Sequence, residues 1–415
     1  MTRVLFSNVN ILDCSGAEPF LGEVLVDGNR IGSVVQGNGS TPRDGVQVID
    51  GRGSACLMPG LIESHTHLSI DDVDDLLQVA LMPPEENTLL AMRIAGQYLD
   101  YGITSCISAA AAKPRLDVVI RNAINAGEIP GPRLLASTPW LTVSGGLGDT
   151  RPWHMPNIDS MAIVIDGPEN YRRVTRELIR EGVDIVKLVI SGDTFVPHAP
   201  STSTVMSEAE VAAAAEVTHA HGKRLSAHAR SAESVKLCVR HGIKVIYHAN
   251  FADVEAFDML EEHKDELFVS PNIGFTVVAS YEGSKWFTEE QVVQYGFREE
   301  LAGAIEGVKE LRKRGVRILG GGDYGFAFTP HGRNARDLDH LVTYFDYTPI
   351  EAIQTMTRFG GDAMDMPNEL GQIREGFLAD LLLVNGNPAA DPKVLLDHDK
   401  LQVVMKDGKF HKLTV

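Results

Sequence analysis

An apolar segment near residue 60 ends in two histidines that are separated by one residue. The segment reads Leu57-Met-Pro-Gly-Leu-Ile-Glu-Ser and is followed by His65-Thr-His67. Because side chains two positions apart on a β-strand point to the same face, both imidazoles can approach one metal ion from the end of a strand. The segment therefore predicts half of a catalytic metal site.

The same spacing occurs at His219 and His221, but in a different context. These residues end an alanine-rich segment that opens with Ser207 and Glu210, the pattern of a helix capping box. Two residues along a helix turn by about 200°, so the two rings diverge. We expect His219 and His221 to lie in the last turn of a helix rather than to bind a metal.

Polar residues also occur in or at the end of four later apolar segments. The residues are Lys187, His228, His248 and Asp323, the last of which follows the glycines 320–322. A single buried histidine is more often a hydrogen-bonded core residue than a ligand, but four histidines and one aspartate at predicted strand ends favour a common site. They are His65, His67, His228, His248 and Asp323. Glycines before Asp323 would let the backbone approach that site closely.

Eight segments with the composition of buried strands alternate with helical segments. The strand candidates are 57–65, 103–108, 133–137, 184–190, 224–229, 244–248, 267–271 and 316–323, and helical candidates include 84–101, 169–181, 232–240, 301–314 and 349–361. This alternation predicts an α/β fold, a (β/α)8 barrel of the TIM type over residues 57–368. Catalytic side chains of such barrels lie at the carboxyl ends of the strands, so the polar residues above should meet at one mouth.

The two ends of the chain have a different pattern. Residues 1–56 contain short β-rich pieces with a hairpin signal at Asp27-Gly28, and residues 369–415 return to strands with a second Asp-Gly turn at Asp407-Gly408. We predict that residues 1–56 and 369–415 together build one small β-sandwich domain beside the barrel.

Composition limits the partners. The 415 residues carry a formal net charge of −18 and no basic tract, which argues against a nucleic-acid partner. No apolar run approaches the roughly 20 residues of a membrane span, and the first residues lack signal-peptide organisation. The four cysteines are far apart and predict neither a disulfide framework nor a thiolate zinc site. We expect a cytoplasmic protein with no membrane partner.

Lys187 has two interpretations, because a charged lysine inside an apolar strand is costly without a partner. In one, the aliphatic stem is buried and the ammonium reaches the barrel mouth, where it pairs with an acid. In the other, a neutral amine has taken up carbon dioxide to form a carbamate, an anionic ligand able to bridge two divalent metals.

These motifs together resemble the amidohydrolase superfamily, and within it the imidazolonepropionase-like and Xaa-Pro or Xaa-Arg/Lys dipeptidase-like metal-dependent hydrolases. The resemblance covers nearly the whole chain. It is carried by Met58-Pro-Gly-Leu-Ile-Glu-Ser-His-Thr-His, Ile185-Val-Lys-Leu, Ser226-Ala-His-Ala, Tyr247-His, Gly322-Asp323, His331-Gly-Arg-Asn-Ala, Gly371-Gln-Ile-Arg-Glu-Gly376 and Ala379-Asp380-Leu.

The resemblance implies a binuclear metal centre. One metal would be held by His65, His67, Asp323 and Lys187 in the form of N6-carboxylysine, made with CO2. The second would be held by the same carbamate, His228 and His248. Zinc is the expected ion for these nitrogen and oxygen ligands.

The resemblance also implies a reaction. A metal-activated hydroxide would cleave a C–N bond of a small molecule, an amide, carbamate, urea or N-acyl amino acid, with Asp323 as general base and then general acid. A deaminase or a hydrolase of a cyclic amide, such as a lactam or imidazolone, is the alternative on the same scaffold, and a non-catalytic metal-binding protein is the second alternative. Relatives are commonly homo-oligomers.

Substrate contacts are predicted where the chain departs from its relatives. Leu147 stands where dipeptidase-like relatives often have histidine, and Tyr247 where glutamate is common. Arg230 would bind a substrate carboxylate or, alternatively, lie on the surface beside Glu233. His331 would contact the substrate or cap the next helix. Trp140, together with Trp153 and His154, would form an aromatic pocket wall or lie in the core.

Overall fold

Hydrogen-bonded strands form three sheets in the computed structural model, which describes residues 3–155 and 160–415. The strands of the described residues are β1 Arg3–Ile11, β2 Phe20–Asp27, β3 Arg30–Gln36, β4 Gln47–Asp50, β5 Cys56–Pro59, β6 Leu61–Thr66, β7 Ile103–Ser108, β8 Arg133–Leu135, β9 Leu141–Thr142, β10 Ile163–Val164, β11 Ile185–Val189, β12 Arg224–Ser231, β13 Val245–Phe251, β14 Phe268–Ser270, β15 Leu381–Val384, β16 Leu401–Lys406 and β17 Lys409–Leu413.

Helices separate most of the central strands. The α-helices are α1 Leu76–Leu81, α2 Pro84–Asp100, α3 Leu116–Ala126, α4 Pro168–Arg180, α5 Glu208–Ala220, α6 Ala232–Arg240, α7 Val254–Glu262, α8 Gly274–Val277, α9 Glu289–Tyr295, α10 Phe297–Lys313, α11 Arg336–Phe345, α12 Pro349–Thr355 and α13 Arg358–Ala363. A π-helical turn, Val278–Glu282, and 3-10 turns at Pro392–Leu396 and His398–Lys400 complete the set. None of the helices among the described residues is both long and apolar enough to cross a membrane.

The predicted helix before Gly222 is confirmed. A capping box between Ser207 and Glu210 starts α5, and its last turn carries His219, whereas His221 follows as the C-cap. The His219 ring contacts the His241 carbonyl and the His221 ring contacts the Val217 carbonyl. Both rings are therefore engaged at the end of this helix.

The two ends of the chain share one eight-stranded sheet. Its order is β17-β16-β15-β5-β1-β2-β3, with β4 beside β1. Alternate side chains of these strands pack into one apolar core, which includes Phe6, Val24, Leu57, Leu381 and Met405. Strands from residues 3–59 and from residues 381–413 thus depend on each other for burial.

The predicted strand at 57–65 is divided at Gly60. The part before it, β5, pairs with β1 and β15 in the terminal sheet, whereas β6 pairs in parallel with β7. A Cβ on Gly60 would overlap the Thr104 side chain, so only glycine fits where the chain passes from one sheet to the next. Residues 57–59 therefore lie with the terminal strands.

Parallel strands form the two central sheets, in the orders β6-β7-β8 and β10-β9-β11-β12-β13-β14. Isolated parallel bridges extend them, from Ser137 to Ile185 and from Val269 to Ile318. This is a mixed α/β architecture, and it places the carboxyl ends of β6, β11, β12 and β13 on one side.

The eighth predicted strand, 316–323, forms a bridge only at Ile318 among the described residues. The continuous ladder to β6 that a closed barrel needs is absent from this part of the structure. Instead, the Ser64 hydroxyl donates to the Gly320 carbonyl at 2.8 Å. Glycines have low β-propensity, and Asp323 has a positive φ of 59°, so the extended backbone is not maintained to the end of the segment.

An ion-pair cluster joins the central and terminal sheets. The Arg133 guanidinium, at the start of β8, lies 2.7 Å from Asp407 and 3.4 Å from Asp380. The Asp380 side chain is 2% exposed and also accepts the Asp407 N–H at 2.7 Å. A buried carboxylate without its counter-charge is strongly unfavourable.

Replacement of this arginine tests the cluster. We expect Arg133→Ala to lower the free energy of unfolding by about 2–3 kcal/mol, because Asp380 loses its positive partner. The matched control is Arg173→Ala, whose pair with Glu177 lies at the surface with side chains 60% and 45% exposed. The control should cost less than about 0.5 kcal/mol. Urea unfolding followed by circular dichroism measures both, and equal losses would contradict the prediction.

Candidate metal centre and substrate cavity

Three predicted ligands meet at the carboxyl end of β6. His65 lies in this strand, His67 follows it, and Asp323 ends the segment that crosses beside it. The Asp323 Oδ1 lies 3.4 Å from His65 Nε2 and 3.1 Å from His67 Nε2. One donor atom from each of the three residues falls within 4.8 Å of the others, a spacing that suits a single metal ion.

The hydrogen bonds around His67 fit a cation at this point. The ring Nδ1 lies 3.2 Å from the Ala110 carbonyl, and since a carbonyl only accepts, Nδ1 carries the proton. In the neutral ring the Nε2 lone pair then faces Asp323 Oδ1. Both atoms are buried without a hydrogen-bond partner in the described part of the chain. Two facing acceptors require a proton or a metal ion between them.

Two further histidines lie beside this group. The rings of His228 in β12 and His248 in β13 are 4.6 Å apart, and the His65 and His248 rings are 5.5 Å apart. The His228 Nε2–H donates to the Gly192 carbonyl at 3.1 Å, which leaves its Nδ1 as the acceptor nitrogen. His248 Nδ1 is buried with no partner among the described residues. The pair could serve as nitrogen ligands of a second ion.

Two of these residues have strained backbones. His248 has φ 78° and Asp323 has φ 59°, both in the left-handed region that non-glycine residues rarely adopt. Each such residue costs on the order of 1–3 kcal/mol and persists only where its surroundings hold it. The strain therefore marks these positions as candidates for function.

Lys187 lies in the middle of β11 and is 1% exposed. Its Nζ is 3.8 Å from the centroid of the Tyr247 ring. Burial lowers the pKa of Lys187 well below its usual value, although the charge of Asp323 acts in the opposite direction. Burial therefore favours the neutral amine, and both the paired ammonium and the carbamate stay predictions.

Burial also acts on the other candidate ligands. It lowers the pKa of His228 to about 3 and the pKa values of His65 and His248 well below their usual range. For Asp323, burial alone raises the pKa, but the neighbouring side chains of His65, His67 and Lys187 lower it overall. The site therefore presents neutral imidazoles and an ionised carboxylate, which are the forms that bind metals.

The candidate ligands open into a cavity of about 350 Å³. Its wall includes His65, Lys187, His228, His248 and Asp323 together with residues from four loops. Of the predicted substrate contacts, Trp140, Leu147 and Arg230 line this cavity. Trp140 meets the His67 ring edge-on with centroids 5.9 Å apart, whereas Trp153 is 99% exposed and forms no part of the wall.

Tyr247 and His331 are not among the described lining residues. Tyr247 is fully buried below the cavity, and its hydroxyl donates to the Ser64 carbonyl at 2.9 Å. The His331 Nε2 lies 2.8 Å from the Ile70 carbonyl, and its Nδ1 lies 3.2 Å from the Tyr98 hydroxyl. The structure therefore places both side chains in supporting positions behind the wall.

Arg230 lines the cavity but does not lie on the surface, as one of its two interpretations expected. It is 4% exposed, its Nε donates to Asp193 at 3.0 Å, and its Nη1 donates to Glu300. Glu233, the alternative partner, pairs with Arg240 instead. Arg230 is thus a buried cation held by two carboxylates, and a surface position is wrong.

Sequence reasoning missed several residues at this site. Asp193, which also lies 3.6 Å from His228, comes just after β11, so a search for polar residues after strand ends would have found it. Glu300 lies in α10, and nothing in its local sequence connects it with Arg230. The lining residues Phe195, Phe275 and Phe328 come from loops and a short helix. Their positions depend on tertiary packing.

Comparison with known proteins was consistent with this geometry. The sequence pattern described as the amidohydrolase family matches residues 56–410. Ochratoxinase of Aspergillus niger is 26% identical over 377 residues, which are 86% of this chain and 75% of that protein. Imidazolonepropionase of Aeromonas hydrophila subsp. hydrophila is 33% identical over 94 residues, 23% of each chain.

Solved structures match the chain over nearly its whole length. A prolidase complexed with N-methylphosphonate-L-proline has 27% identity and a TM-score of 0.87, and the match covers 99% of this chain and 100% of that one. The similarity therefore extends over the terminal sheet as well as the central sheets.

The buried Arg230 cluster can be tested by its effect on stability. We expect Arg230→Met to lower the free energy of unfolding by about 3–5 kcal/mol, because Asp193 and Glu300 would stay buried without a counter-charge. Lys236→Met is the matched control, since Lys236 also bridges two carboxylates, those of Asp253 and Glu255, but these are 50% and 71% exposed. Thermal or urea unfolding of both variants should show a much smaller loss for the control. Comparable losses would mean that Arg230 is not held as described.

Proposed function

Since the chain belongs to the amidohydrolase family and is a hydrolase that acts on C–N bonds of small molecules, we propose that it cleaves an amide, carbamate, urea or N-acyl amino acid at a binuclear metal centre. One observation carries the proposal. The buried acceptors His67 Nε2 and Asp323 Oδ1 face each other at 3.1 Å beside His65, an arrangement that a cation would stabilise.

The ligand assignment is part of the proposal. His65, His67 and Asp323 would hold one ion, His228 and His248 would hold the other, and Lys187 as N6-carboxylysine would bridge them. Zinc suits this set of nitrogen and oxygen donors. Bound divalent ions would lower the pKa of a water molecule and polarise the carbonyl oxygen of the substrate.

Carbamate formation at Lys187 needs a neutral amine beside a dry cavity. Nζ attacks carbon dioxide, an N–C bond forms, and one amine proton is released, so that the product is an anion. The support is the 1% exposure of Lys187 and the lowering of its pKa by burial. An anion at this position would lie among neutral histidine rings, where it needs positive charge nearby.

Asp323 would carry the proton. Its side chain is 20% exposed and lines the cavity, while Oδ1 faces the histidines. The lowered pKa keeps the group ionised, so it can accept a proton from the attacking water and return it to the leaving nitrogen. The rigid backbone at this residue would hold the carboxylate in one place during both transfers.

We further propose a closed (β/α)8 barrel with a composite terminal domain, with the boundary at Gly60. The parallel bridges at Ser137 and Val269 support closure, since each one connects adjacent central segments. The terminal domain would comprise residues 1–59 and 369–415 and form the predicted sandwich. The cytoplasmic location, the homo-oligomeric state and the absence of nucleic-acid and membrane partners stay predictions from the sequence.

A deaminase or a cyclic amide hydrolase is the second candidate, which the local similarity to imidazolonepropionase favours. Lys187 separates the two candidates, because a bridging carbamate serves a binuclear centre and mononuclear deaminases usually have no need of it. The non-catalytic metal-binding alternative has no support, because the family and the relatives indicate a hydrolase.

Replacement of the proposed proton carrier tests the reaction. We expect metal-loaded Asp323→Asn to lose about 10²- to 10⁴-fold in kcat on an amide, urea or carbamate substrate, because the amide cannot accept the proton. Asp72→Asn is the control, since this exposed residue does not line the cavity. Circular dichroism checks that both variants fold. Full activity of folded Asp323→Asn would contradict the assignment.

Metal content tests the ligand set. We expect elemental analysis to give two divalent ions per chain after growth with zinc and bicarbonate, and chelation to abolish turnover reversibly. Lys187→Met should retain one ion or none, whereas Lys223→Met, at a half-exposed surface site, should retain two. Carbon-13 NMR after addition of labelled bicarbonate should show a carbamate signal that Lys187→Met lacks. Two ions in Lys187→Met would contradict the bridging role.

A further inference from the structure

We propose that the cavity selects substrates with an uncharged or cationic aryl group and disfavours those with a carboxylate, an inference that rests on the proposed hydrolytic function. It narrows that function toward aryl amides, ureas and carbamates and away from free N-acyl amino acids. Two independent features carry it: an aromatic wall and the distribution of charge around the cavity.

The aromatic wall consists of Phe195, Phe275, Phe326 and Phe328, all of which line the cavity. The Phe195 and Phe275 ring centroids are 5.1 Å apart, as are those of Phe275 and Phe328, and Phe326 stacks on Phe328 at 5.4 Å. These are the separations at which aromatic rings attract each other in offset or edge-on contacts. A substrate ring would add one more member to an existing cluster.

Within the aromatic wall, the exposure of Phe195 is the observation that points to a bound ligand. It lies on the loop after β11 and is 43% exposed, although the centroids of five other aromatic rings lie 5.1–6.4 Å from that of its own ring. A ligand that covers an exposed aromatic face at the opening of an apolar cavity removes apolar surface from water, which favours binding. On the other side of the cavity, Trp140 contacts His67 edge-on, so a bound aryl group would sit close to the candidate metal ligands.

Negative charge dominates the outer part of the cavity. The sequence 71–75 contains four aspartates, and two of them, Asp74 and Asp75, are exposed and line the cavity. Their carboxylates accept hydrogen bonds from the Gln78 amide and the Leu77 N–H, which carry no charge. Asp71, by contrast, is paired with Arg93 at 2.8 Å. Asp74 and Asp75 therefore leave a negative potential at the mouth.

The positive residues of the cavity do not offset this charge. Among the described lining residues, lysine and arginine are represented by Lys187 and Arg230. Arg230 already contacts the carboxylates of Asp193 and Glu300, so this group of three carries a formal charge of −1. A carboxylate that enters past Asp74 and Asp75 would meet like charges at the mouth and, further in, a guanidinium already paired with two carboxylates, which disfavours binding outside the candidate metal site.

A matched series of substrates tests the charge preference. The metal-loaded enzyme is assayed with acetanilides that carry a para aminomethyl, hydroxymethyl or carboxymethyl group, so that charge changes while the scissile amide stays the same. We expect kcat/KM to be lowest for the carboxymethyl compound, by about tenfold or more relative to the aminomethyl compound. The difference should shrink as salt is added, because the rim is exposed. Equal or better use of the carboxymethyl compound would overturn the proposal.

Variants of the cavity mouth test which residues produce the charge preference. The double variant Asp74→Asn/Asp75→Asn should reduce the ratio of kcat/KM between the cationic and anionic substrates, and asparagine at 75 keeps the helix cap. The control Asp72→Asn removes a negative charge from the same run of aspartates but outside the cavity, and it should change this ratio less.

Variants of Phe195 test the aromatic wall. Phe195→Ala should lower kcat/KM for acetanilide relative to N-cyclohexylacetamide by roughly tenfold. Phe195→Leu, which keeps apolar area without the ring, separates the aromatic contribution from the hydrophobic one.

Binding separates a failure of this inference from a failure of the proposed function. If no amide, urea or carbamate is hydrolysed by the metal-loaded enzyme, the hydrolytic proposal fails. Calorimetric binding of the same three acetanilides then decides the charge preference by itself. The expected order is aminomethyl tightest and carboxymethyl weakest, and tightest binding of the carboxymethyl compound would overturn the inference in either case.

Discussion

The burial of facing acceptors around Asp323 is the constraint on which the rest of the site depends. His67 Nε2 and Asp323 Oδ1 are 3.1 Å apart and shielded from water, a placement that is unfavourable unless positive charge lies between them. The backbone determines which ring nitrogens are left free for this purpose. The Ala110 carbonyl fixes the proton of His67 and the Gly192 carbonyl fixes that of His228, so both rings present a lone pair without any rearrangement.

The backbone that holds these groups together adopts conformations that are unfavourable for most residues. Gly321 passes so close to Ser64 and the His65 N–H that a side chain would not fit, and Asp323 and His248 adopt positive φ. Strain of this kind is stable only where neighbouring strands leave no alternative. Parallel pairing of β11, β12 and β13 supplies that support. Its register sets Lys187 beside Ser226 in β12 and His248 beside Ala229, one residue after His228.

Sequence reasoning located the candidate ligands because strand ends are recognisable from apolar runs followed by a polar residue. It placed β7 and α6 at their observed bounds for the same reason. It predicted a sandwich built from the two chain ends, and hydrogen bonds join their strands in one eight-stranded sheet. The surface alternative for Arg230 was wrong, since its buried partner Glu300 is 70 residues away in α10. The ladder expected over 316–323 is limited to Ile318, because three glycines and a left-handed residue follow.

The candidate ligands could be predicted from the sequence and the cavity wall could not, and the reason is physical. Candidate ligands come from strand ends, whose side chains are positioned by backbone hydrogen bonds and are therefore visible in local patterns. The cavity wall comes from loops around Asp74, Leu147, Phe195 and Phe328, whose positions are set by packing between distant segments. Loop residues can change without disturbing the strands that hold the ligands. The sequence of such a chain therefore identifies the class of reaction more directly than the substrate, and the charge and aromatic content of the folded cavity are needed to narrow the choice.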